Sequence, residues 1–373
     1  MKSSDLRLVI SGGGTAGHVY PALALLDNWP DPVPAVTWIG ARDGMERGIV
    51  TEAGIPFAAV RSGAVRGQRP DRLVRSLLQV LIGALQSLRI LRRIAPDVAL
   101  TTGGYVSVPV ALAAWLLRIP LVVFLPDVRP GVAVRAQQRF ATRIACAFEA
   151  AVGHLPADRS VVTGYPLRPG FRNVDRETAR KAFEVDGEPL LLLYGGSLGA
   201  RTLNNAVVER LDDILARAHF VHVCGALDHP ELERHRATLP AEQRERYDLH
   251  AFMGDRLIDA FIAADLGIAR AGASTLAELP AAGLPAVVVP GAFSDQAANA
   301  AWLAERGAAV VVTNEEVPSR LVDEVCALLD DAPRRAAMAD ATRALALPDA
   351  AGRLRALIQA VAARTAYAFL SKQ

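Results

Sequence analysis

A strand, a glycine-rich turn and a helix follow one another twice in this chain, and this repeat constrains the fold more than any other feature. The apolar run Leu6–Ile10 leads into the turn Ser11–His18 and then into the helical pattern Val19–Leu26. Leu190–Tyr194 leads in the same way into the turn Gly195–Ala200. Glycine lets backbone N–H groups approach a ligand closely, and the following helix directs its positive end at the same place. Each turn therefore predicts an anion-binding loop.

Short β-rich runs alternate with helical patterns along the whole sequence, which is typical of a parallel α/β fold. A chain of 373 residues is too long for one ordinary core. We therefore predict two doubly wound, Rossmann-like parallel-sheet domains that face a central cleft. Pro and Gly cluster near the joint, so the predicted domains are 1–163 and 164–348, and a last helix at 349–369 is expected to join the first. The predicted strands are Leu6–Ile10, Ala35–Ile39, Val98–Thr101, Leu121–Phe124, Arg143–Ala147, Ser160–Thr163, Leu190–Tyr194, Phe220–Cys224, Asp248–Phe252, Leu266–Ala269, Ala286–Pro290 and Ala308–Val312.

Composition narrows the classes of function. The formal net charge is +2, which gives no indication of nucleic-acid binding, and none is predicted. Cys146, Cys224 and Cys326 are isolated, which argues for a reducing compartment and against a disulfide framework or a zinc site. With no secretory signal and no 18-residue apolar span, the chain is expected to be soluble or to lie on a membrane without crossing it.

The first turn also fits the dinucleotide pattern G-x-G-x-x-G at Gly12, Gly14 and Gly17. An NAD site normally places an acidic residue at the end of the second strand, and Val36–Gly40 ends without one. An NAD-dependent oxidoreductase is therefore disfavoured, and no cofactor is predicted. His18 is either a packing or capping histidine or a general base beside a bound anion, because its ordinary pKa lies near neutrality.

A second anion-type turn lies at Arg270–Glu278. Glu278 suits the hydroxyls of a ribose or sugar, and the alternative is a helix capping box. No two Asp residues stand at D-x-D spacing, so the diphosphate–metal clamp of one class of sugar transferases is missing and no metal site is predicted. Helix N-termini and side-chain donors would then carry the charge of a nucleotide diphosphate.

The segment from Arg61 to Arg93 holds eight Arg and one acidic residue around a continuous apolar middle, Leu77–Leu85. Two interpretations remain open on the residues alone. The helix is either mostly buried with solvated ends, or it lies in a membrane interface with its Arg residues on anionic headgroups.

Ordered motifs along nearly the whole chain resemble the MurG-type N-acetylglucosaminyltransferases, of the two-domain GT-B class. The matching residues are Gly13–His18 with Pro21, Trp38–Gly40, Met45–Glu46, Gly103–Ser107 with Pro109, Gly195–Ser197 with Gly199, Ala200 and Asn204, Arg270, Gly272, Ala273, Thr275, Glu278, Ala281–Pro285, Gln296, Asn299 and Ala300. The resemblance implies an inverting enzyme, peripheral at the cytoplasmic face of the membrane. It would move N-acetylglucosamine from UDP-N-acetylglucosamine to undecaprenyl-diphosphate-linked muramoyl-pentapeptide, without a metal. The Arg61–Arg93 region coincides with the family's membrane-facing patch.

The resemblance also assigns site residues. On the donor side, Arg168 and Ser197 would contact the diphosphate, the backbone at Met253 would read the uracil, Glu278 would bind the ribose, and Asp295 and Gln296 would lie near the sugar. On the acceptor side, the loop with Thr15, Ala16 and Gly17 would cradle a diphosphate, Tyr105 would line the site, and His18 would lie near the reacting hydroxyl.

One loop departs from the family pattern. Phe124–Asp127 stands where the family usually has His-Glu-Gln-Asn, and Val134 replaces a later Asn. Asp127 is the ionisable group in this loop and is an alternative base to His18. Two further functions stay open: a related transferase with another lipid acceptor such as a diacylglycerol, and a non-catalytic UDP-sugar-binding paralogue.

Overall fold

The computed structural model describes residues 6–63, 70–196, 198–291 and 296–370. These residues form two compact units. One unit runs to Arg168 and resumes at Asp349, and the other runs from Pro169 to Pro348. The three cysteines are buried and free.

In its described residues, the first unit is built on a seven-stranded parallel sheet of order β3-β2-β1-β4-β5-β6-β7. Its strands are β1 (Arg7–Gly12), β2 (Ala35–Ala41), β3 (Phe57–Val60), β4 (Val98–Gly103), β5 (Leu121–Leu125), β6 (Arg143–Cys146) and β7 (Ser160–Val162). Its helices are α1 (Ala16–Asp27), α2 (Glu46–Glu52), α3 (Pro70–Ile94), α4 (Ser107–Leu116), α5 (Val132–Gln137) and the C-terminal α17 (Ala350–Leu370), with a 3-10 turn at Glu149–His154.

The centre of this sheet is buried on both faces, as helices on both sides of a parallel sheet require. Every residue of β4 and β5 is buried, and Val9, Leu121 and Ile144 belong to one apolar cluster with residues of α4. The C-terminal helix α17 packs against α1, β4 and β5, so the chain returns to the first unit at its end.

The first unit extends beyond the predicted boundary at 163/164. Thr163 N and Gly164 N donate to Cys146 O at 2.9 and 3.3 Å. The Tyr165 hydroxyl donates to Gly17 O at 3.4 Å, and Leu167 O accepts from Asn28 Nδ2 at 3.0 Å. These bonds hold the Pro- and Gly-rich segment on the first sheet, which the composition of the segment did not reveal.

In its described residues, the second unit has a six-stranded parallel sheet of order β10-β9-β8-β11-β12-β13. Its strands are β8 (Leu190–Tyr194), β9 (His219–Val223), β10 (Tyr247–His250), β11 (Leu266–Arg270), β12 (Ala286–Val289) and β13 (Ala309–Val311). Its helices are α6 (Gly170–Asn173), α7 (Arg176–Lys181), α8 (Arg201–Glu209), α9 (Leu211–Leu215), α10 (His229–Ala237), α11 (Ala241–Glu245), α12 (Arg256–Ala263), α13 (Thr275–Ala282), α14 (Gln296–Ala304), α15 (Val317–Asp330) and α16 (Ala332–Ala344).

All of the predicted strands are present within one or two residues at their ends, and β3 was not predicted. This strand has four residues and directly follows Pro56. Such a short run does not show the alternation of apolar and polar residues that predicts a strand. It pairs with β2 through Trp38–Phe57 and the three following partners. Both sheets are therefore parallel throughout the described strands, as the βαβ pattern predicts.

The strand order reverses at one point in each sheet, between β1 and β4 and between β8 and β11. Open α/β sheets bind ligands at the carboxyl ends of the strands beside such a reversal. The turn Ser11–His18 follows β1, and Gly195–Ala200 follows β8. Tertiary structure thus places both glycine turns at the ligand-binding position of their own sheet.

Candidate active site

In the first unit, two glycine turns from neighbouring strands pack directly on each other. Gly13 N donates to Gly103 O at 3.4 Å, and a Cβ at Gly104, which has φ +81°, would collide with Gly13 O. A Cβ at Gly12 would collide with the Thr102 hydroxyl, which donates to His18 O. Side chains at these positions would separate the two turns, so the glycines are needed for close backbone approach.

His18 lies in the first turn of α1 with its ring held by backbone and side-chain groups. Its Nδ1 is 2.9 Å from Gly13 O and 3.1 Å from Thr15 Oγ1. A carbonyl only accepts, so Nδ1 carries the hydrogen and Nε2 is left as the acceptor nitrogen. A Cβ at Gly103 would lie 2.7 Å from His18 Cδ2 and 2.9 Å from Nε2, which explains the glycine with φ +110° there. This arrangement suits a general base.

The two candidate bases line the same cavity. It has a volume of about 160 Å³ and is formed at the carboxyl ends of β4 and β5 together with α1 and the start of α5. Its lining residues are His18, Gly103, Gly104, Tyr105, Leu125, Pro126, Asp127 and Gly131–Val134. The structure therefore brings together His18, Tyr105 and Asp127, which the sequence placed far apart.

The start of α1 forms one wall beside this cavity. Thr15 is its N-cap in extended conformation, and its side chain makes no capping bond to the helix. Ala16 and Gly17 are the first helical residues, so their N–H groups belong to the first turn, where helix N–H groups lack intrahelical partners. Gly14 has φ +80°, which turns the chain into this helix. These are features of an anion-binding helix end.

Glu46, the first residue of α2, contacts this loop, and the sequence did not reveal its role. Its side chain is fully buried, and its carboxylate accepts from Gly14 N at 3.2 Å and from Ala41 N at 2.7 Å. Added Cβ atoms at Gly13 and Gly44 would collide with this carboxylate. The motif Gly44-Met45-Glu46 was available as a signal, but only the fold places it under the first glycine turn.

In the second unit, the turn after β8 packs against the turn after β9. A Cβ at Gly199, which has φ +76°, would collide with Cys224 O, and a Cβ at Gly225 would lie 2.8 Å from Gly199 N. Helix α8 begins at Arg201, directly after this turn. The predicted diphosphate ligand Ser197 lies outside the described residues.

Glu278 lies in the first turn of α13, the helix that follows the turn after β11. Ser274 precedes α13 and makes no side-chain bond to it, and Thr275 is already helical. The hydrogen bond that an N-cap hydroxyl contributes to a capping box is therefore missing at Ser274. Arg270 Nη1 bonds to Asn314 Oδ1 at 2.7 Å and to Val289 O and Pro290 O at 3.4 Å. Burial lowers the pKa of Arg270, and the residue ties the ends of β11 and β12 to the loop after β13.

Gln296 begins α14 close to this turn. Its Oε1 accepts from Gly291 N at 2.7 Å, and a Cβ at Gly272 would lie 3.9 Å from its Nε2. The predicted neighbour Asp295 lies outside the described residues.

Met253 follows β10, is buried, and its carbonyl accepts from Arg256 N at 3.1 Å. Arg168 ends the first of the two segments that form the first unit and is half-buried.

A buried polar network next to the turn Gly195–Ala200 was not predicted. His222 Nε2 is 2.9 Å from Asn204 Oδ1, and its Nδ1 is 2.9 Å from the Tyr247 hydroxyl. Asn204 Nδ2 also donates to Cys224 O and to Asp228 Oδ2. The other carboxylate oxygen, Asp228 Oδ1, pairs with Arg201 at the start of α8. Burial lowers the pKa of His222 to about 3, so the ring is neutral and can accept from Tyr247 while donating to Asn204.

Helix α3 exposes an apolar stripe. Leu78, Leu81 and Leu85 are 55, 58 and 59% exposed at i, i+3 and i+7, while Gly83, Ala84 and Ser87 on the other face are buried. Arg89, Arg92 and Arg93 follow at its exposed end, and Arg66 and Arg69 lie outside the described residues. The interpretation of a mostly buried helix is therefore wrong for the described side chains. Trp115 and Leu116 at the end of α4, which packs on α3, are also more than half exposed.

No helix in the described ranges is long and apolar enough to cross a membrane. Across the same ranges, no three His, Cys, Asp or Glu residues cluster as ligands of a metal ion would.

Known proteins match the chain over both units. Residues 8–146 match the glycosyltransferase family 28 N-terminal domain, and residues 190–354 match the glycosyltransferase family 28 C-terminal domain. A protein of Roseiflexus sp. (strain RS-1) is 37% identical over 96% of this chain and 96% of its own length. A protein of Desulforudis audaxviator is 36% identical over 96% of this chain and 99% of its own. Both are named UDP-N-acetylglucosamine–N-acetylmuramyl-(pentapeptide) pyrophosphoryl-undecaprenol N-acetylglucosamine transferase. The chain belongs to this transferase family.

Solved structures agree with this assignment. Acinetobacter baumannii MurG is 28% identical, covers 95% of this chain and 99% of its own, and superposes with a TM-score of 0.76. A glycotransferase of kitacinnamycin, 20% identical over 96% of this chain and 99% of its own, has a TM-score of 0.68 and supports the fold alone. The MurG-type resemblance and the GT-B fold class predicted from the sequence are confirmed.

Proposed function

We propose that this enzyme transfers N-acetylglucosamine from UDP-N-acetylglucosamine to the muramyl-pentapeptide carried on pyrophosphoryl-undecaprenol, a step of peptidoglycan synthesis. The observation that carries the proposal is the 37% identity over 96% of the chain to a transferase named for these substrates. The glycine turns at the reversal points of both sheets support it, because each substrate contains a diphosphate that such a turn can bind.

The second unit is assigned the donor, with Arg168 as the one donor residue that belongs to the first unit. Glu278 would accept hydrogen bonds from the ribose hydroxyls, and Gln296 and Asp295 would bind the sugar. Ser197 and Arg168 would bind the diphosphate, and the backbone at Met253 would read the uracil. Two observations support this donor assignment. Gln296 Nε2 lies close to Gly272 in the turn before α13, and α8 begins directly after the glycine turn Gly195–Ala200. These helix N–H groups would stabilise the charge that develops on the departing UDP.

The first unit is assigned the lipid-linked acceptor. Thr15, Ala16 and Gly17 at the start of α1 would hold its diphosphate, with Tyr105 in the adjoining cavity. His18 would take the proton of the acceptor hydroxyl as that oxygen attacks the anomeric carbon. The bond from this carbon to the β-phosphate oxygen breaks, UDP leaves with the electron pair, and the configuration inverts. Asp127 lines the same cavity and is the alternative base.

We propose that neither a metal nor another cofactor takes part. The positive ends of helices and the arginine side chains supply charge stabilisation that a cation would otherwise give. Transfer is then expected to persist in the presence of EDTA at the rate measured without it. A loss of activity that Mg²⁺ or Mn²⁺ restores would contradict this part of the proposal.

We further propose that the enzyme is peripheral on the cytoplasmic face of the membrane, where it meets anionic lipid through α3. The exposed leucine stripe and the Arg residues at the end of the helix combine apolar burial with attraction to anionic headgroups. A lipid-linked substrate makes such a position useful, because its diphosphate lies at the membrane surface.

The acceptor assay tests the function. Radiolabelled sugar from UDP-N-acetylglucosamine should appear on undecaprenyl-diphosphate-linked muramoyl-pentapeptide and not on diacylglycerol. Transfer only to diacylglycerol would show that the enzyme uses another lipid acceptor. Donor binding without any transfer would indicate a non-catalytic paralogue. His18→Ala and Asp127→Ala, compared in turnover at saturating donor, identify the base. If both variants keep near-native turnover, neither His18 nor Asp127 is the base.

A further inference from the structure

We propose that Glu46 is a positioning residue that acts through the Gly13–Gly14 peptide to hold His18 with Nδ1 protonated and Nε2 as the proton acceptor. The inference deepens the proposed function and depends on it only for the final proton transfer. It explains why a buried acidic residue is placed next to the glycine turn although it does not line the acceptor cavity.

Two backbone N–H groups hold the Glu46 carboxylate. It accepts from Gly14 N at 3.2 Å and from Ala41 N at 2.7 Å, and its side chain is completely buried. A buried carboxylate is costly unless hydrogen bonds satisfy it. Gly13 and Gly44 leave the space that it occupies, since a Cβ at either would collide with it. The local backbone is therefore built around this carboxylate.

A single peptide group joins Glu46 to the histidine. The N–H of the Gly13–Gly14 peptide, on Gly14, donates to Glu46 Oε2, and the carbonyl of the same peptide, on Gly13, lies 2.9 Å from His18 Nδ1. Hydrogen bonds at the two ends of an amide strengthen each other. The carboxylate thus makes Gly13 O a better acceptor for the Nδ1 hydrogen, and it prevents rotation of the peptide that would present an N–H to the ring.

A carboxylate that contacts histidine directly fixes the tautomer and orientation of the ring in many sites. Here one peptide is interposed between the two. Thr15 Oγ1, 3.1 Å from Nδ1, is a second acceptor for the same hydrogen, and Gly103 confines the other edge of the ring. Asp127 and Tyr105 border the same cavity, so the ring tautomer of His18 is the readout that belongs to His18 alone.

The test uses the full chain with ¹⁵N-labelled histidine and reads the ring tautomers by NMR, with His18 assigned by its loss in His18→Gln. The expected result in the unsubstituted protein is the neutral Nδ1–H tautomer of His18. In Glu46→Gln the amide keeps the shape of the side chain but accepts only one of the two N–H groups well. The Nε2–H tautomer should then gain population, and turnover should fall about 10-fold or more. The KM for UDP-N-acetylglucosamine should change less than about twofold, because the groups that Glu46 contacts include none of the residues assigned to the donor.

Glu52→Gln is the matched control, since Glu52 lies on the same helix and is exposed. It should leave the tautomer and turnover unchanged. An Nε2–H tautomer in the unsubstituted protein overturns the proposal whether or not Glu46→Gln folds. Folded Glu46→Gln with native turnover and an unchanged tautomer also overturns it. If the unsubstituted protein transfers no sugar to the lipid-linked acceptor, the proposed function fails, and the tautomer experiment still decides the role of Glu46.

Discussion

His222 Nε2 and Asn204 Oδ1 lie 2.9 Å apart, and this hydrogen bond joins α8, the helix after the turn Gly195–Ala200, to β9 of the second sheet. Both side chains are fully buried. Asn204 Nδ2 serves the Cys224 carbonyl and the Asp228 carboxylate as well, so one amide satisfies three buried groups.

Asn204→Ala is expected to lower the free energy of unfolding by about 2–4 kcal/mol, because it leaves buried acceptors and a ring N–H without partners. Amide hydrogen exchange of β8 and β9 measures the effect within the second unit. Asn205→Ala, an exposed neighbour on the same helix, should change the free energy by about 0.5 kcal/mol or less. A loss below about 1 kcal/mol at Asn204 would contradict the network's structural role.

The neutral state of His222 predicts a pH dependence of stability. Burial lowers its pKa from the ordinary 6.5 to about 3 in the folded protein. Below pH 6.5 the unfolded chain binds a proton that the folded chain does not, so stability contributed by this group falls as pH decreases towards 3. The slope approaches about 1.4 kcal/mol per pH unit. Urea unfolding of the protein and of His222→Gln between pH 7 and 5 measures it, and equal slopes for the two would refute the assignment.

Glu278→Gln is expected to weaken donor binding. A hydrogen bond from a ribose hydroxyl to a carboxylate contributes more than one to a neutral amide, so the Kd for UDP should rise about 10-fold. Isothermal titration with UDP measures this change directly. Glu209→Gln, an exposed residue at the end of α8, serves as the control. Unchanged UDP affinity in Glu278→Gln would show that Glu278 does not bind the donor.

Replacing Leu78 and Leu81 by Glu is expected to weaken binding to vesicles that contain anionic lipid. The two side chains are more than half exposed, so the fold should tolerate the change, whereas each carboxylate opposes insertion and is repelled by the headgroups. Vesicle sedimentation measures binding, and a thermal melt within a few degrees of the original shows that the variant is folded. Leu347→Glu, on the second unit, is the control. Equal binding of a folded Leu78/Leu81 variant and the control would exclude α3 as the membrane contact.

The sequence by itself determined the order of elements and the kind of site. Strand and helix patterns are local, and glycine at Gly14 or Gly103 is readable because few other residues adopt positive φ. Ordered motifs placed the chain in its family, and His18 and Glu278 were identified from the turns that carry them.

Only the tertiary structure decided which of these residues meet. The fold brings Asp127 and Tyr105 to the cavity of His18 because β1, β4 and β5 are neighbours in the sheet, an order that no local pattern encodes. It holds the segment through Arg168 on the first unit by bonds to distant partners. It also places Glu46 against the Gly13–Gly14 peptide and His222 against Asn204 of α8. Both side chains are polar, and their burial depends on contacts with residues far away in the sequence. Composition and periodicity are local properties, so they could not predict these positions.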